Sequence, residues 1–264
     1  MKIKDKVVLI TGGTKGIGKV TADLLSSKGM KVYVTTRKEE NVKDNILLLD
    51  VTNEELVNQC VNEVIKREGR IDVLVNNAAY GLCGPIVDST TEEIKELFDT
   101  NFFGPHRMIE AVYPIMKKQG YGKIINVSSY AGRLAVPFQG VYSAAKAALS
   151  IYSDSLRMEI VSDGIDVCTI EPGDTKTDFH SSRTYTKGFE NNENAKRAIE
   201  KMHRDEQSGS NPKAVAKKIL KAIKSRRSNP RYIVGLQVIL VTVVRHIFPR
   251  KFQQFLLRKY YGLK

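Results

Sequence analysis

The sequence lacks the devices that stabilise small secreted or metal-bound domains. Its three cysteines, Cys60, Cys83 and Cys168, are far apart and odd in number, and no Cys-x-x-Cys pair occurs. That excludes a disulfide framework and a zinc ribbon, and it fits a reducing, cytoplasmic compartment. No apolar run has the length of a membrane span: residues 233–244 make only a dozen and include Gln237. Residues 7–10 are too short for the core of a secretory signal and lead directly into glycines. No repeat and no low-complexity tract is present. His180 and His203 read as solvated histidines without a metal cluster around them, so no metal is expected. Acid is missing from one whole region. Residues 212–264 hold 14 Lys or Arg and no Asp or Glu, whereas the preceding 211 residues hold 28 basic and 29 acidic. The net charge of +13 therefore belongs to the tail. This argues against a nucleic-acid groove built into the core and for an anionic neighbour near the C-terminus.

What is present is an ordinary globular composition, 42% hydrophobic and 27% charged over 264 residues, enough for one large α/β domain spanning 1–264. Short apolar runs predict strands over 6–11, 31–35, 46–50, 71–76, 123–128, 165–171 and 232–234. Amphipathic stretches predict helices over 16–28, 54–67, 91–118, 140–162 and 213–225. Strands apolar throughout, alternating with helices, imply a doubly wound parallel sheet of the Rossmann type, covered on both faces. Residues 173–211 are polar and start without a clear period, which predicts a mobile flap. A C-terminal extension occupies about 235–264.

Two residues one helical turn apart, Tyr142 and Lys146, carry the strongest chemical suggestion. A phenol normally titrates near pH 10, too high for proton transfer at neutrality, and a fixed neighbouring cation is expected to lower it. Ser129, thirteen residues upstream, is placed to hold a reacting oxygen. The run Thr11-Gly12-Gly13-Thr14-Lys15-Gly16-Ile17-Gly18 follows the first strand and opens the first helix. Its glycines let the backbone approach a pyrophosphate, which the helix N-terminus then holds. The spacing Gly12, Gly16, Gly18 is wider than the usual dinucleotide fingerprint. An NAD site calls for Asp or Glu at the end of the second strand. This chain has Thr35-Thr36-Arg37-Lys38 instead. Arg37, with Lys15, suits the 2′-phosphate of NADP(H), and Asp50 is placed either for adenine or as a helix N-terminal acid.

Together these residues resemble the short-chain dehydrogenase/reductase family. Thr11-Gly-x-x-x-Gly-x-Gly18, Asp50-Val51-Thr52, Asn76-Asn77-Ala78-Ala79-Tyr80-Gly81, Asn101, Ser129, Tyr142-x-x-x-Lys146 and Pro172-Gly173 fall in the family's order and spacing. The resemblance implies a catalytic tetrad of Asn101, Ser129, Tyr142 and Lys146, with Asn101 supporting a water relay and Asn76 steadying the sheet. It also implies that Val51, Asn77, Ala78, Tyr142, Lys146, Pro172, Gly173, Thr175 and Thr177 contribute to the cofactor site. The spacing to Tyr142 favours Ser129 over the adjacent Ser128. The implied reaction interconverts a ketone and its secondary alcohol by hydride transfer, with Tyr142 as acid and base. A dimer or tetramer on the helices over 91–118 and 140–162 is implied as well.

Substrate choice is expected in the flap and tail, with Tyr80, Val136, Phe138, Phe179, Tyr185, Phe189 and Met202 as candidate apolar walls. The tail carries an apolar stripe, Leu236, Ile239, Leu240, Val243, Val244 and Ile247. Pro249 suits the first turn of a second helix, with Phe252, Phe255 and Leu256 on one side and Arg245, Arg250, Lys251, Arg258 and Lys259 around the apolar groups. Such a tail suits an anionic membrane surface, a second subunit or a cover over the substrate cleft. Its length resembles the steroid, retinol and lipid-ketone branch, making a hydrophobic ketone the leading substrate class. A 3-ketoacyl thioester is the alternative, and a catalytically silent NADP-binding regulator the alternative of another class.

Overall fold

Val7 and Leu9 point to one side of the central sheet and Val8 and Ile10 to the other, and all four are fully buried. Alternation within an unbroken apolar run is what a sheet covered on both faces requires. The computed structural model describes residues 3–263 except 236–237, 240–241 and 244–246. In chain order the strands are β1 (Val7–Ile10), β2 (Lys31–Thr36), β3 (Ile46–Leu48), β4 (Val73–Asn76), β5 (Gly81–Cys83), β6 (Gly122–Val127), β7 (Ile165–Pro172), β8 (Arg183–Tyr185) and β9 (Arg231–Val234). Seven of them form a parallel sheet in the order β3-β2-β1-β4-β6-β7-β9, with Val8 of β1 opposite Val32 and Val73. β5 and β8 pair separately.

The helices are α1 (Gly16–Ser26), α2 (Glu54–Glu68), α3 (Thr91–Phe98), α4 (Gly104–Gln119), α5 (Gly140–Glu159), α6 (Glu193–Gln207), α7 (Pro212–Lys224) and α8 (Arg250–Tyr260). One core joins Val7 and Leu9 to Val57, Val61, Met108 and Val112 of α2 and α4; the other joins Val8 and Ile10 to Leu25, Val215 and Ile219 of α1 and α7. Strand order reverses between β1 and β4, so a crevice opens at their carboxyl ends, where such sheets bind ligands.

The structure departs from the sequence expectation in three places. The helix expected over 91–118 is interrupted by a π-helical stretch, Asp99–Phe103. Pro105 has no N–H to return to the Asn101 carbonyl, so the regular ladder cannot run through this point. Residues 173–211, expected as a flap, contain β8 and α6, whose Ala198, Ile199 and Met202 are buried against Leu82, Leu97 and Tyr142. Pro249 caps α8 from outside rather than lying in its first turn. Leu257 of α8 and Tyr261 pack on the α6 cluster, while Phe252, Phe255 and Leu256 are exposed. Ile239, Val243 and Ile247 of the expected stripe are also exposed. Leu236, Leu240, Val244 and Arg245 lie outside the described residues.

Candidate active site

The turn after β1 is held from beneath by the end of β4. Thr11 Oγ1 accepts from the backbone N–H groups of Asn77 and Ala78 at 2.9 and 3.0 Å, and Asn77 Nδ2 donates to the carbonyls of Thr11 and Gly12, each at 3.0 Å. Gly12 has φ 64°, and a Cβ there would sit 3.0 Å from Ala78 Cα. A side chain at Gly18 would meet the Gly12 carbonyl at 2.4 Å. The first position needs glycine for conformation as well as space, the second for close packing of helix on turn. α1 begins without a side-chain cap and without acid in its first turn. Its N–H groups therefore face the cavity unclaimed by side chains, as an anion site requires.

That cavity, about 380 Å³, is lined by Gly12, Thr14, Lys15, Gly16 and Ile17 from this turn. Arg37, Asp50, Val51, Asn77 and Ala78 line it from the strand ends, and Ser129, Tyr142, Lys146, Pro172, Gly173, Thr175 and Thr177 from the far side. Gly18 and Asn101 stand behind the wall. Lys38 pairs with Glu40 at 3.6 Å, whereas neither Arg37 nor Lys15 enters an ion pair among the described residues. Asp50 Oδ1 accepts from Thr52 N and Oγ1, closing a turn, and Asn53 rather than Asp50 caps α2.

α5 delivers Tyr142 and Lys146 to the opposite wall. Lys146 Nζ lies 5.8 Å from the Tyr142 ring centroid and donates to the Val127 carbonyl at 3.0 Å. Burial lowers this ammonium to about 8. Burial also raises the Tyr142 phenol to about 12, opposed mainly by its hydrogen bond with Ser129. The expectation that Lys146 lowers the phenol is thus not met here. Desolvation dominates, and the charges felt at Tyr142 are those of Glu206 and Arg183. The two serines separate cleanly. Ser128 Oγ is engaged with the Lys146 carbonyl at 2.9 Å and Ser150 Oγ at 2.8 Å, while Ser129 reaches Tyr142 and accepts from Ala131 N at 3.1 Å.

Asn101 is fully buried, and its amide is spent on one residue. Its Oδ1 accepts from Tyr80 N at 3.0 Å and its Nδ2 donates to Tyr80 O at 2.8 Å. It fixes the loop carrying Tyr80. Asn76 donates to Asn126 Oδ1, and Asn126 donates to Ser153 Oγ, both at 2.8 Å, which ties β4, β6 and α5 together behind the site.

Of the expected apolar walls, Tyr80, Phe179 and Met202 line the cavity, with the Phe179 ring 6.0 Å from that of Tyr142. Val136, Phe138 and Phe189 pack into the α6 cluster instead, and the Tyr185 ring lies tilted against Phe189 at 4.3 Å, outside the cavity lining. His180 and His203 meet edge to face at 4.5 Å beside that pair. Sequence reasoning missed Asp174, Arg183 and Glu206, which also line the cavity. Asp174 adjoins the Pro172-Gly173 motif and was within reach of that signal. Arg183 and Glu206 are joined only by the packing of β8 against α6, and no spacing announces them.

The short chain dehydrogenase family model matches residues 6–188. A 3-ketodihydrosphingosine reductase of Bacteroides thetaiotaomicron is 37% identical over 99% of this chain and 100% of its own. Among solved structures, a short chain dehydrogenase from Burkholderia cenocepacia in complex with NADP superposes with a TM-score of 0.77 at 22% identity, covering 97% of this chain and 99% of that one. A short chain dehydrogenase/reductase from Burkholderia phymatum in complex with NAD gives 0.82 at 22% identity, covering 93% and 94%. At that identity the likeness speaks for the fold, and the fold accepts either nicotinamide.

Proposed function

The chain belongs to the short chain dehydrogenase family and is an oxidoreductase, and we propose that it reduces a long-chain, lipid-like ketone to its secondary alcohol with NADPH. The observation that carries this reading is the meeting of Ser129, Tyr142 and Lys146 in one cavity with the uncapped start of α1. The residues fit a dinucleotide: a Cβ would fill the Gly12 cradle, and Arg37 and Lys15, which enter no ion pair among the described residues, line the same cavity and suit a 2′-phosphate. Arg37 and Lys15 are therefore assigned to that phosphate, and the N-terminus of α1 to the pyrophosphate.

Bound there, the nicotinamide supplies the hydride. Ser129 and Tyr142 donate hydrogen bonds to the ketone oxygen, and Tyr142 gives its proton as negative charge develops. Lys146, cationic below about pH 8, stabilises the resulting phenolate. Asn101 acts at one remove by fixing the Tyr80 loop.

The relative named as acting on a lipid ketone supports the substrate class, as does the apolar wall of Tyr80, Phe179 and Met202. Among the described residues no helix is long and apolar enough to cross a membrane. The tail suits a peripheral role at an anionic bilayer in a reducing, cytoplasmic compartment. Phe252 and Phe255 are exposed on α8 among Arg250, Lys251 and Lys259, while the opposite face of that helix packs beside the substrate end. Ile151 and Met158, exposed on α5, suit a homo-oligomeric contact. A panel of long-chain ketones and acetoacetyl thioesters, each with NADPH and NADH, tests the proposal. Reduction of the ketones with NADPH is expected; reduction of thioesters alone contradicts it.

A further inference from the structure

The substrate end of the cavity is acidic although the chain carries a net charge of +13. Glu206 of α6 and Asp174, just beyond β7, line it beside Tyr142, Phe179 and Met202. Arg183 of β8 is the cation in this wall. Its guanidinium donates to Glu206, and its side chain is only 1% exposed. A closed structural ion pair would leave nothing over, yet here Glu206 Oε2 and Arg183 Nε are buried without a hydrogen-bond partner. Asp174, hydrogen-bonded to the Tyr130 hydroxyl, adds a second carboxylate against the same guanidinium. Asp205 repels both from behind, although Lys201 stands 3.6 Å from it. Burial first, and these like charges next, raise the Asp174 carboxyl to about 6 and the Glu206 carboxyl to about 7, despite Arg183. Two carboxyls thus face one guanidinium in this wall, and the phenol of Tyr142 feels Glu206 directly. An uncharged alkyl ketone has nothing to offer such a surface.

Resting on the reading of this site as a ketone reductase, we infer that Glu206 and Asp174 form a subsite for a protonated amine carried close to the substrate's carbonyl. The ammonium donates to the two carboxylates while Tyr142 and Ser129 hold the ketone oxygen. Arg183 holds Glu206 in place and opposes the rise of its carboxyl. A cation bound there also offsets the field of Glu206 at Tyr142, so the substrate itself eases formation of the phenolate. The specificity is built from repulsion as well as attraction, since a neutral analogue buries two carboxylates against a single guanidinium.

The test compares kcat/KM with NADPH for a long-chain alpha-amino ketone and for its N-acetyl derivative, in the wild type, Glu206→Gln and Asp174→Asn. The wild type is expected to prefer the free amine by about tenfold or more, the scale of one charge-assisted contact. Glu206→Gln, which retains a hydrogen bond to Arg183, is expected to lose most of that preference, and Asp174→Asn part of it. A wild type that reduces both ketones alike, or a preference unchanged in both variants, overturns the subsite while leaving the reductase reading standing. If neither ketone nor any other long-chain ketone is reduced with either cofactor, the reductase reading fails and this inference falls with it.

Discussion

The Lys146 ammonium lies 5.8 Å from the centroid of the Tyr142 ring, one helical turn along α5, and donates to the Val127 carbonyl at 3.0 Å. Both side chains are buried, and the burial opposes the charged form of each. A neutral phenol is thus held close to a cation, ready for a proton to leave the phenol only as a negative charge appears on a bound oxygen.

One consequence concerns pH. Lys146 assists only as a cation, and its lowered value places the loss of that cation at about 8. The rate of ketone reduction at saturating NADPH is expected to be level at lower pH and to decline as pH rises past this value. A profile measured for Lys146→Met should be low throughout and lack that limb. A wild-type rate that climbs steadily through alkaline pH contradicts the assignment.

The two adjacent serines should fail in different ways. Ser129→Ala removes the hydrogen bond to Tyr142 and a donor to the ketone oxygen, with an expected loss in kcat of about a hundredfold or more. Ser128→Ala leaves the Lys146 carbonyl and Ser150 without a shared partner, at a cost of about 1–3 kcal/mol in stability. Steady-state kinetics and urea unfolding on both variants separate the two effects.

Arg37→Ala tests the cofactor. A charge-assisted contact to the 2′-phosphate contributes about 1.5–3 kcal/mol, so kcat/KM for NADPH should fall about tenfold to a hundredfold while that for NADH changes little. Equal losses with the two cofactors contradict a phosphate contact.

Glu206 links the site to stability. Its folded value is raised from 4.5 to about 7, chiefly by burial, so the fold favours the protonated form. That contribution is fully present below about 4.5 and is lost as pH rises through about 7. Thermal melts of the protein without ligand should therefore show Tm falling across this window by more in the wild type than in Glu206→Gln. The general relief of positive self-repulsion acts in the opposite direction, and the paired comparison cancels it.

Much of this was legible before folding was considered. The apolar runs around Val7–Ile10 and Val73–Asn76 are long and regular, and the glycines of the first turn announce their own geometry. The spacing of Tyr142 and Lys146 places them on one face but carries no information on how deeply they are buried, and it is burial that turns the Tyr142 shift upward. Pro105 and Pro114 both lack an N–H within 91–118, yet α4 runs through Pro114 while the π-helical stretch falls just ahead of Pro105, a difference the sequence does not show. β5 and β8 are three residues each and about a hundred residues apart, too short for any period and paired only by tertiary packing. Arg183 and Glu206 follow from that same packing.

The most direct measurement is NADPH consumption with a long-chain ketone by wild type and Tyr142→Phe, alongside NADPH binding to both. The expected result is turnover by the wild type, a loss of at least about a hundredfold in the variant, and nearly equal binding of NADPH. Wild-type turnover in Tyr142→Phe contradicts the role of Tyr142 as the proton donor.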